Sequence, residues 1–344
     1  MTTMNTQVLL ASRPIGEPAP ENFDIVQSPI PEAGEGEIVV RTIYLSIDPY
    51  MRGRMDDAKS YAASVQIGDV MTGGVVGQVV QSRNPKFSEG DFVLGMFGWQ
   101  SFAVSDGALV RKLDPAVAPI STAVGVLGMP GLTAYVGLLD IGDPKPGDTV
   151  VVAAASGAVG SVVGQIAKIK GCRVVGIAGP AEKCAYVTDE LGFDACVSHR
   201  SETLKADLEK ACPDGIDVYF ENVGGKVFAA VLPLMNDFGR IPVCGLIANY
   251  NLTELPPGPD MSARVMRNVL TKRLKIQGFI VTDRYDRFPA FEKDVGGWIR
   301  DGSLKYREDI TEGLENAPAA LIDVLAGRNF GKMLVRVSDD PNRP

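Results

Sequence analysis

One segment, residues 149–168, constrains the fold of this chain more than any other. It reads TVVVAAASGAVGSVVGQIAK, an apolar strand-like run that passes through small residues into an amphipathic helix-like run. Five further strand-like runs follow, at residues 172–179, 195–198, 216–223, 239–247 and 274–281. The segments between them, such as 158–170 and 182–191, are typical of amphipathic helices. Alternation of this kind predicts a parallel sheet with helices on both faces.

The small residues after the first strand have a recognisable spacing. Ala155, Gly157 and Gly160 match GxGxxG with alanine in the first position. Such a turn lets main-chain N–H groups approach a pyrophosphate, and the helix that follows directs its partial positive charge toward the phosphates. The alternative is a strand-helix turn that packs closely for its own sake. Its place between a strand and a helix favours a dinucleotide site.

The end of the second strand indicates which dinucleotide would bind. In VVGIAGPAEK the strand ends at Gly179, close to where an NAD enzyme has an Asp or Glu for the ribose hydroxyls. A glycine leaves room for a 2′-phosphate, and the ammonium of Lys183 can supply a counter-charge. The alternative for Lys183 is a solvated residue at a helix start. The missing acid and the nearby lysine together predict NADPH as the cofactor.

The pattern changes near residue 125, which predicts two domains. Residues 36–48, 73–82 and 91–105 are short β-like runs broken by Gly, Pro and Asp, typical of a twisted antiparallel barrel or sandwich. The chain returns to strand, helix and strand after the sixth strand of the parallel sheet. We therefore predict a catalytic domain made of residues 1–125 and 304–344, with an NADPH-binding Rossmann domain, residues 126–303, inserted in it. The proline-rich loop 254–260 either borders a ligand crevice or is a simple connection.

Composition excludes several kinds of function. A formal net charge of -8 and a pI near 4.9 disfavour nucleic acid as a partner. The chain has one histidine, and its five cysteines are never closer than twelve residues, so neither a metal site nor a multi-histidine catalytic centre is predicted. The N-terminus lacks the features of a signal peptide, and no run of about 20 apolar residues occurs. We expect a cytoplasmic protein without a membrane partner.

Six motifs, in order along the chain, identify a family. They are SIDPYMRGRM (46–55), GMPGLTAYVGLLDIG (128–142), AAASGAVGSVVGQIAK (153–168), FENVGG (220–225), CGLIANYN (244–251) and GRNFGKMLV (327–335). Through them the chain resembles the zinc-free medium-chain dehydrogenase/reductases, in the group of prostaglandin reductases and alkenal/one double-bond reductases. It is most similar to the bacterial branch with curcumin-type reductases. The resemblance implies a GroES-like catalytic domain around the Rossmann domain, and it implies a homodimer.

The resemblance also implies which residues surround NADPH. These are Pro130, Thr133, Ala155, Gly157, Ala158, Val159, Gly160, Gly179, Lys183, Asn222, Cys244, Gly245, Tyr250 and Asn329. Asn329 is implied near the nicotinamide amide and Asn222 near the ribose, although either could simply shape a turn. Many relatives have a tyrosine-lysine pair after the third strand, where this chain has Ser198, His199 and Arg200. Either His199 or Arg200 could support the 2′-phosphate; the alternative for His199 is a merely exposed residue of a polar loop.

The activity that the resemblance implies is reduction of the carbon-carbon double bond of an enal or enone, by hydride transfer to the β carbon. Tyr50 and Tyr250 match tyrosines that line the family's pocket, and either could donate to the carbonyl oxygen as it becomes negative. The alternative is that they are packing residues whose hydroxyls are satisfied elsewhere. Gly74 stands where plant relatives often have an aromatic residue, which predicts room for bulky or arylated enones.

Two other functions stay open on the sequence alone. One is a zinc-free NADPH quinone reductase, and the other is a non-catalytic NADPH-binding regulator. Assembly can be predicted from LKIQGFIV, residues 274–281, which is the last strand of the parallel sheet and has no internal charge or proline after its first residues. A free apolar edge invites uncontrolled pairing, so we expect two copies to pair there across a two-fold axis.

Overall fold

A computed structural model describes residues 4–254 and 260–343 of the chain. Residues 255–259, the main part of the predicted proline-rich loop, lie outside the described residues. The chain divides into two compact units. The first consists of Met1–Gly125 with Glu308–Pro344, and the second of Val126–Arg307. Within the described ranges we find no helix of the length and apolarity that crossing a membrane requires.

The strands are β1 (Met4–Leu10), β2 (Phe23–Pro29), β3 (Ile38–Ser46), β4 (Val75–Ser82), β5 (Phe92–Gly95), β6 (Phe102–Ser105), β7 (Arg111–Leu113), β8 (Thr149–Ala153), β9 (Arg173–Ala178), β10 (Ala195–Ser198), β11 (Ile216–Phe220), β12 (Met235–Val243), β13 (Lys275–Gly278), β14 (Glu308–Glu312) and β15 (Lys332–Arg336). The helices are α1 (Tyr50–Arg54), α2 (Met129–Val136), α3 (Gly160–Ile169), α4 (Ala181–Ala185), α5 (Leu204–Ala211), α6 (Gly225–Val231), α7 (Ser262–Lys272), α8 (Phe288–Arg300) and α9 (Ala317–Leu325).

The first unit is mainly β. Its main sheet has the order β14-β15-β3-β4-β5-β7, with β6 also paired to β3, and β1 and β2 form a separate antiparallel pair. All pairs except β14 with β15 are antiparallel. The β3 side chains are nearly all buried, which accounts for the continuous apolar run IVVRTIYLS at the centre of this unit. The core includes Leu45, Met51 and Trp99.

The second unit is a doubly wound α/β domain. Its six strands have the order β10-β9-β8-β11-β12-β13, and every neighbouring pair is parallel. Both faces of the sheet are covered, since separate clusters of buried apolar side chains lie on its two sides. Central strands of such sheets are apolar throughout, and all five side chains of β8 are buried. The predicted fold class is confirmed.

Three elements of the second unit differ from the sequence-based prediction. The α-helix predicted at 182–191 ends at Ala185 and continues as a π-helical turn over Tyr186–Glu190. Strand β12 begins four residues before the predicted Gly239, and within it Phe238 has a positive φ of 61°. Strand β13 covers only four of the eight residues predicted, and it lies at the edge of the sheet.

Candidate active site

The carboxyl ends of the parallel strands bring most of the predicted residues of the second unit to one edge of the sheet. The glycine turn follows β8, Gly179 follows β9, and His199 follows β10. Asn222 comes two residues after β11, and Cys244 directly follows β12. Because the strands run in the same direction, their carboxyl ends lie side by side, and ligand crevices of this fold occur there.

The turn after β8 is tight, and its main chain is strained. Ala154 has a φ of 52°, in the left-handed region that non-glycine residues rarely adopt. Gly157 N–H donates to the Ala154 carbonyl at 2.9 Å, and the same carbonyl would collide with a Cβ at Gly160. A side chain at Gly160 would therefore force the turn apart. Strain held in place by neighbours is common at ligand sites. No feature of the amino-acid sequence predicts it at Ala154.

The remaining turn residues follow from this geometry. Ala155 is fully buried, whereas Gly157, Ala158 and Val159 are half-buried and lead into α3. Residues with small side chains leave the main chain of this turn accessible just before a ten-residue helix. Main-chain N–H groups in such a position can bind phosphate groups. The turn thus fits a pyrophosphate without any charged side chain of its own.

Gly179 lies against the loop that follows β10. A Cβ at Gly179 would stand 3.2 Å from His199 Nε2 and 4.0 Å from Arg200 Nε. The Ser198 hydroxyl donates to the Gly179 carbonyl at 2.8 Å, and His199 N–H donates to the Ala178 carbonyl at 2.9 Å. The two loops are therefore joined, and the glycine leaves open the space in front of the imidazole.

Several positive charges act on the His199 imidazole beside this space. Lys183, on α4, is only 6% exposed, so its stem is packed and its position restricted. Burial lowers the pKa of His199, and the charges of Lys226, Arg200 and Lys183 lower it further. The imidazole is therefore neutral near pH 7, with three cations acting on it. Room beside several positive charges fits a phosphate group.

The turn that follows β11, residues 221–224, forms one rim of the candidate site, and a buried carboxylate holds its main chain in place. Glu221, 1% exposed, accepts the N–H groups of Val223 at 2.6 Å and Gly224 at 2.8 Å. Burial raises the pKa of Glu221, while these N–H donors act in the opposite direction. The Asn222 side-chain amide donates to the Ala153 carbonyl at 2.8 Å, so this residue ties the rim to the end of β8. That contact holds the Asn222 side chain beside the glycine turn that follows β8.

A cavity of about 250 Å³ lies beyond the ends of β12 and β13. It is lined by Val243, Cys244, Gly245, Leu246, Tyr250, Gly278, Phe279 and Ile280. The Tyr250 hydroxyl accepts the Leu246 N–H at 3.4 Å and lies 3.1 Å from where a Cβ at Gly245 would be. A largely apolar recess with a phenol on its wall suits an apolar carbonyl compound.

Two features of this cavity, the position of Phe279 and the raised pKa of the Cys244 thiol, were not evident from the sequence. Phe279 is fixed edge-on against Phe220, with ring centroids 6.4 Å apart, and it forms part of the wall. Because β13 ends at Gly278, Phe279 lies beyond the strand. The second feature is the Cys244 thiol, whose pKa is raised to about 12 by burial and by the charge of Glu221.

Tyr50 and Asn329 belong to the first unit. Tyr50 begins α1, and the Arg54 guanidinium lies 5.7 Å from its ring centroid. The preceding residues are anchored by Lys332, whose ammonium donates to Asp48 Oδ1 at 3.0 Å and to the Ile47 carbonyl at 2.7 Å. The Asn329 amide donates to the Gly331 carbonyl at 2.8 Å. Burial lowers the pKa of Lys332, while Asp48 acts to raise it.

Three other predicted positions have simple packing explanations. Thr133 is buried on α2, and its hydroxyl donates to the Met129 carbonyl one turn earlier at 2.8 Å. Pro130 lies in the first turn of α2, where a missing N–H costs nothing. At Gly74 the nearest atom to an added Cβ would be Met96 Sδ, at an ordinary 3.9 Å, so packing does not require a glycine there.

Comparison with known proteins places these features in a family. Residues 6–113 match the model of an N-terminal domain of oxidoreductases, and residues 158–295 match that of a zinc-binding dehydrogenase. The NADPH-dependent curcumin reductase of Escherichia coli is 55% identical over 98% of both chains. The NADP(+)-dependent 2-alkenal reductase of Nicotiana tabacum is 42% identical over 97% of this chain and 98% of its own. The chain belongs to the zinc-free group of the medium-chain dehydrogenase/reductases.

Solved structures of this family agree with that assignment. The structure of CurA from Vibrio vulnificus in complex with NADPH superposes with a TM-score of 0.95, at 55% identity, over 97% of this chain and 100% of that one. An Escherichia coli quinone oxidoreductase, complexed with NADPH, has a TM-score of 0.73 at 19% identity and shares the fold. Although one family model is named for zinc binding, we find no cluster of three His, Cys, Asp or Glu side chains able to hold a metal across residues 4–254 and 260–343.

Proposed function

We propose that this protein is an NADPH-dependent reductase that reduces the carbon-carbon double bond of α,β-unsaturated ketones and aldehydes. The observation that carries the proposal is the position of Gly179, which opens a space beside Lys183, His199 and Arg200 on the same sheet edge as an apolar cavity. The 55% identity to a curcumin reductase supports both the cofactor and the substrate class.

The residues of the second unit would hold NADPH at that edge. Bound NADPH supplies a hydride. We propose that the turn containing Gly157, Ala158 and Val159 accepts the pyrophosphate, and that the cations beside Gly179 hold the 2′-phosphate. Asn222 keeps the rim against β8 through its bond to Ala153. Cys244 and Gly245 lie beside the cavity, where the reactive end of the cofactor would meet the substrate.

Tyr250 is our principal candidate for orienting the substrate. Its ring forms part of the cavity wall, and a hydroxyl both accepts and donates hydrogen bonds. We propose that it donates to the carbonyl oxygen, which gains negative charge when hydride adds to the β carbon. A donor placed where charge develops stabilises the transition state more than the bound substrate. Tyr50, anchored through the Asp48 and Lys332 pair, is the second candidate.

The experiment that tests the activity is NADPH oxidation with four acceptors under one set of conditions. A short alkenal and a bulky arylated enone should be reduced, and a saturated aldehyde should give little turnover because it lacks the conjugated double bond. Turnover of a simple quinone alone would instead indicate a quinone reductase. Tight NADPH binding without turnover of any acceptor would indicate a non-catalytic NADPH-binding protein.

We also propose that the protein forms a homodimer through β13 and α7. Strand β13 is the last strand of its sheet, and its Ile276 is 38% exposed. On the adjoining helix α7, Met266 and Leu270 are 63% and 77% exposed. Apolar side chains beside an open strand edge favour pairing with a second copy. Such pairing covers the apolar side chains and also gives hydrogen-bond partners to the N–H and C=O groups of the edge strand.

A further inference from the structure

The loop of residues 244–250 ends at Tyr250, and main-chain hydrogen bonds attach it to the turn of residues 221–224. Four N–H groups of the loop donate to three consecutive carbonyls of that turn. The bonds run from Cys244 and Gly245 to Glu221 at 2.9 and 3.2 Å, from Ile247 to Asn222 at 3.3 Å, and from Ala248 to Val223 at 3.0 Å. A displacement of the turn is therefore passed on to the loop.

The attached part of the loop leads directly to Tyr250. Residues Ile247–Asn249 form a 3-10 turn, and the Tyr250 N–H donates to the Ile247 carbonyl at 3.3 Å. The Tyr250 hydroxyl accepts the Leu246 N–H at 3.4 Å. Leu246 also packs on the turn, since its Cδ2 would lie 3.1 Å from a Cβ at Gly224. Both the main chain and the hydroxyl of Tyr250 are thus placed by residues that contact the turn.

The turn itself depends on one carboxylate. Glu221 is 1% exposed, and its Oε1 accepts the N–H groups of Val223 at 2.6 Å and of Gly224 at 2.8 Å. A carboxylate forms stronger bonds to N–H groups than a neutral oxygen does. Without this acceptor two N–H groups of the turn would lose their partner, which is costly in a buried position. The conformation of the turn therefore follows from Glu221.

We propose that Glu221 is a positioning residue for the reduction, which holds the Tyr250 hydroxyl where the carbonyl oxygen of the substrate gains negative charge. This inference rests on the proposed double-bond reductase function. Because Glu221 is buried, it acts through the turn and the loop. A displaced donor costs mainly turnover, since the bond that it makes matters most as charge develops in the transition state.

Glu221→Gln tests this role. The variant keeps the length of the side chain and an oxygen that can accept the two N–H groups, but it removes the charge. With a good enone and saturating NADPH, we expect kcat to fall about five- to tenfold, because two charge-assisted bonds become neutral ones. The KM for the enone should change less.

Asp217→Asn is the matched control. Asp217 lies near the opposite end of β11, and its carboxylate accepts the Thr149 N–H at 2.8 Å. The variant replaces a carboxylate by an amide on the same strand, away from the loop, and should leave kcat unchanged. An equal loss of kcat in the two variants would contradict a specific role for Glu221.

A double-mutant cycle distinguishes action through Tyr250 from a general loosening of the domain. In Tyr250→Phe the hydroxyl is absent, so adding Glu221→Gln should lower the remaining kcat by no more than about twofold. If Glu221→Gln lowered kcat by the same factor with and without the hydroxyl, the proposal would be overturned. Urea unfolding of every variant checks that each is folded under the assay conditions.

Hydrogen exchange of residues 244–250, followed by mass spectrometry, tests the attachment of the loop without any turnover. Exchange there should be about fivefold faster or more in Glu221→Gln, and it should be unchanged in Asp217→Asn. Unchanged exchange in Glu221→Gln would overturn the proposal whatever the activity. If the wild-type protein reduced no acceptor but exchange responded as expected, the reductase function would fail, while Glu221 would still be the residue that positions Tyr250.

Discussion

At the scale of single residues, Lys183 differs from most surface lysines because it is only 6% exposed beside an open space at Gly179. We expect Lys183→Ala to increase the KM for NADPH about 10- to 100-fold, since a lost charge-assisted contact is worth about 1.5 to 3 kcal/mol. The KM for NADH should hardly change. Steady-state kinetics with both cofactors measure this, and Lys183→Met separates loss of charge from loss of packing. Equal weakening of both cofactors would remove Lys183 from the 2′-phosphate site.

Tyr250 is the residue on which turnover should depend most. Tyr250→Phe removes a donor that matters as the carbonyl oxygen becomes negative, so kcat should fall by up to about 100-fold while KM changes less. Tyr50→Phe should have a smaller effect. Both variants and the double variant are measured with one good enone. Deuterated NADPH establishes whether hydride transfer limits the rate, and an unchanged kcat under that condition would exclude the tyrosines.

Sequence reasoning located some of these residues and missed others for physical reasons. Gly157, Gly160 and Gly179 follow strands at a fixed spacing, so pattern alone predicts where they lie. Lys226 belongs to a different helix, and its charge acts on His199 only in the folded chain, where it lowers the pKa of the imidazole. The strain at Ala154 was equally hidden, because alanine gives no indication of a positive φ.

Among the elements, the packing of α3 against its surroundings is unusually tight at Gly164. An added Cβ there would overlap the ring of Phe193. We expect Gly164→Ala to destabilise the protein by about 1 to 3 kcal/mol, the usual cost of overpacking, measured by urea unfolding. Adding Phe193→Leu should recover part of that loss.

Gly297 provides the matched control for this prediction. It lies within α8, and nothing stands within 4 Å of an added Cβ. Gly297→Ala should therefore stabilise the protein by up to about 1 kcal/mol, because alanine is the better helix former. If both variants changed stability alike, the contact between Gly164 and Phe193 would not be the cause.

The lengths of the elements were harder to predict than their order. The order of the six parallel strands is as the alternation of patterns indicated, because the central strands carry clear apolar runs: β8 is buried throughout and β9 nearly so. The start of β12 was missed because MNDFGR contains residues typical of a turn. Phe238 adopts a positive φ there, and the Arg273 guanidinium lies 4.5 Å from its ring centroid, so a tertiary contact accompanies a conformation that local preference disfavours.

At the scale of the whole molecule, the proposed dimer can be tested by placing one charged side chain in the proposed interface. Leu270→Asp places a carboxylate on α7 within the proposed interface, and we expect the variant to be monomeric in light scattering at micromolar concentration. Leu109→Asp is the control, because Leu109 is 92% exposed and lies in the first unit. It should leave the assembly unchanged. A wild-type protein that is already monomeric would contradict the dimer.

The raised pKa of the Cys244 thiol affects how readily the enzyme would be inactivated by its own substrates. Enals and enones alkylate thiolates, and this thiol lines the cavity in which they would bind. With its pKa raised to about 12, it stays protonated from pH 7 to 9 and is therefore a poor nucleophile. Mass spectrometry during incubation with a short alkenal at pH 7.5 should find Cys244 modified far more slowly than a small free thiol of ordinary pKa, and the rate should keep increasing with pH up to pH 9 because the thiolate fraction does. The burial that makes this cysteine inert would thus protect the catalyst from its own substrates.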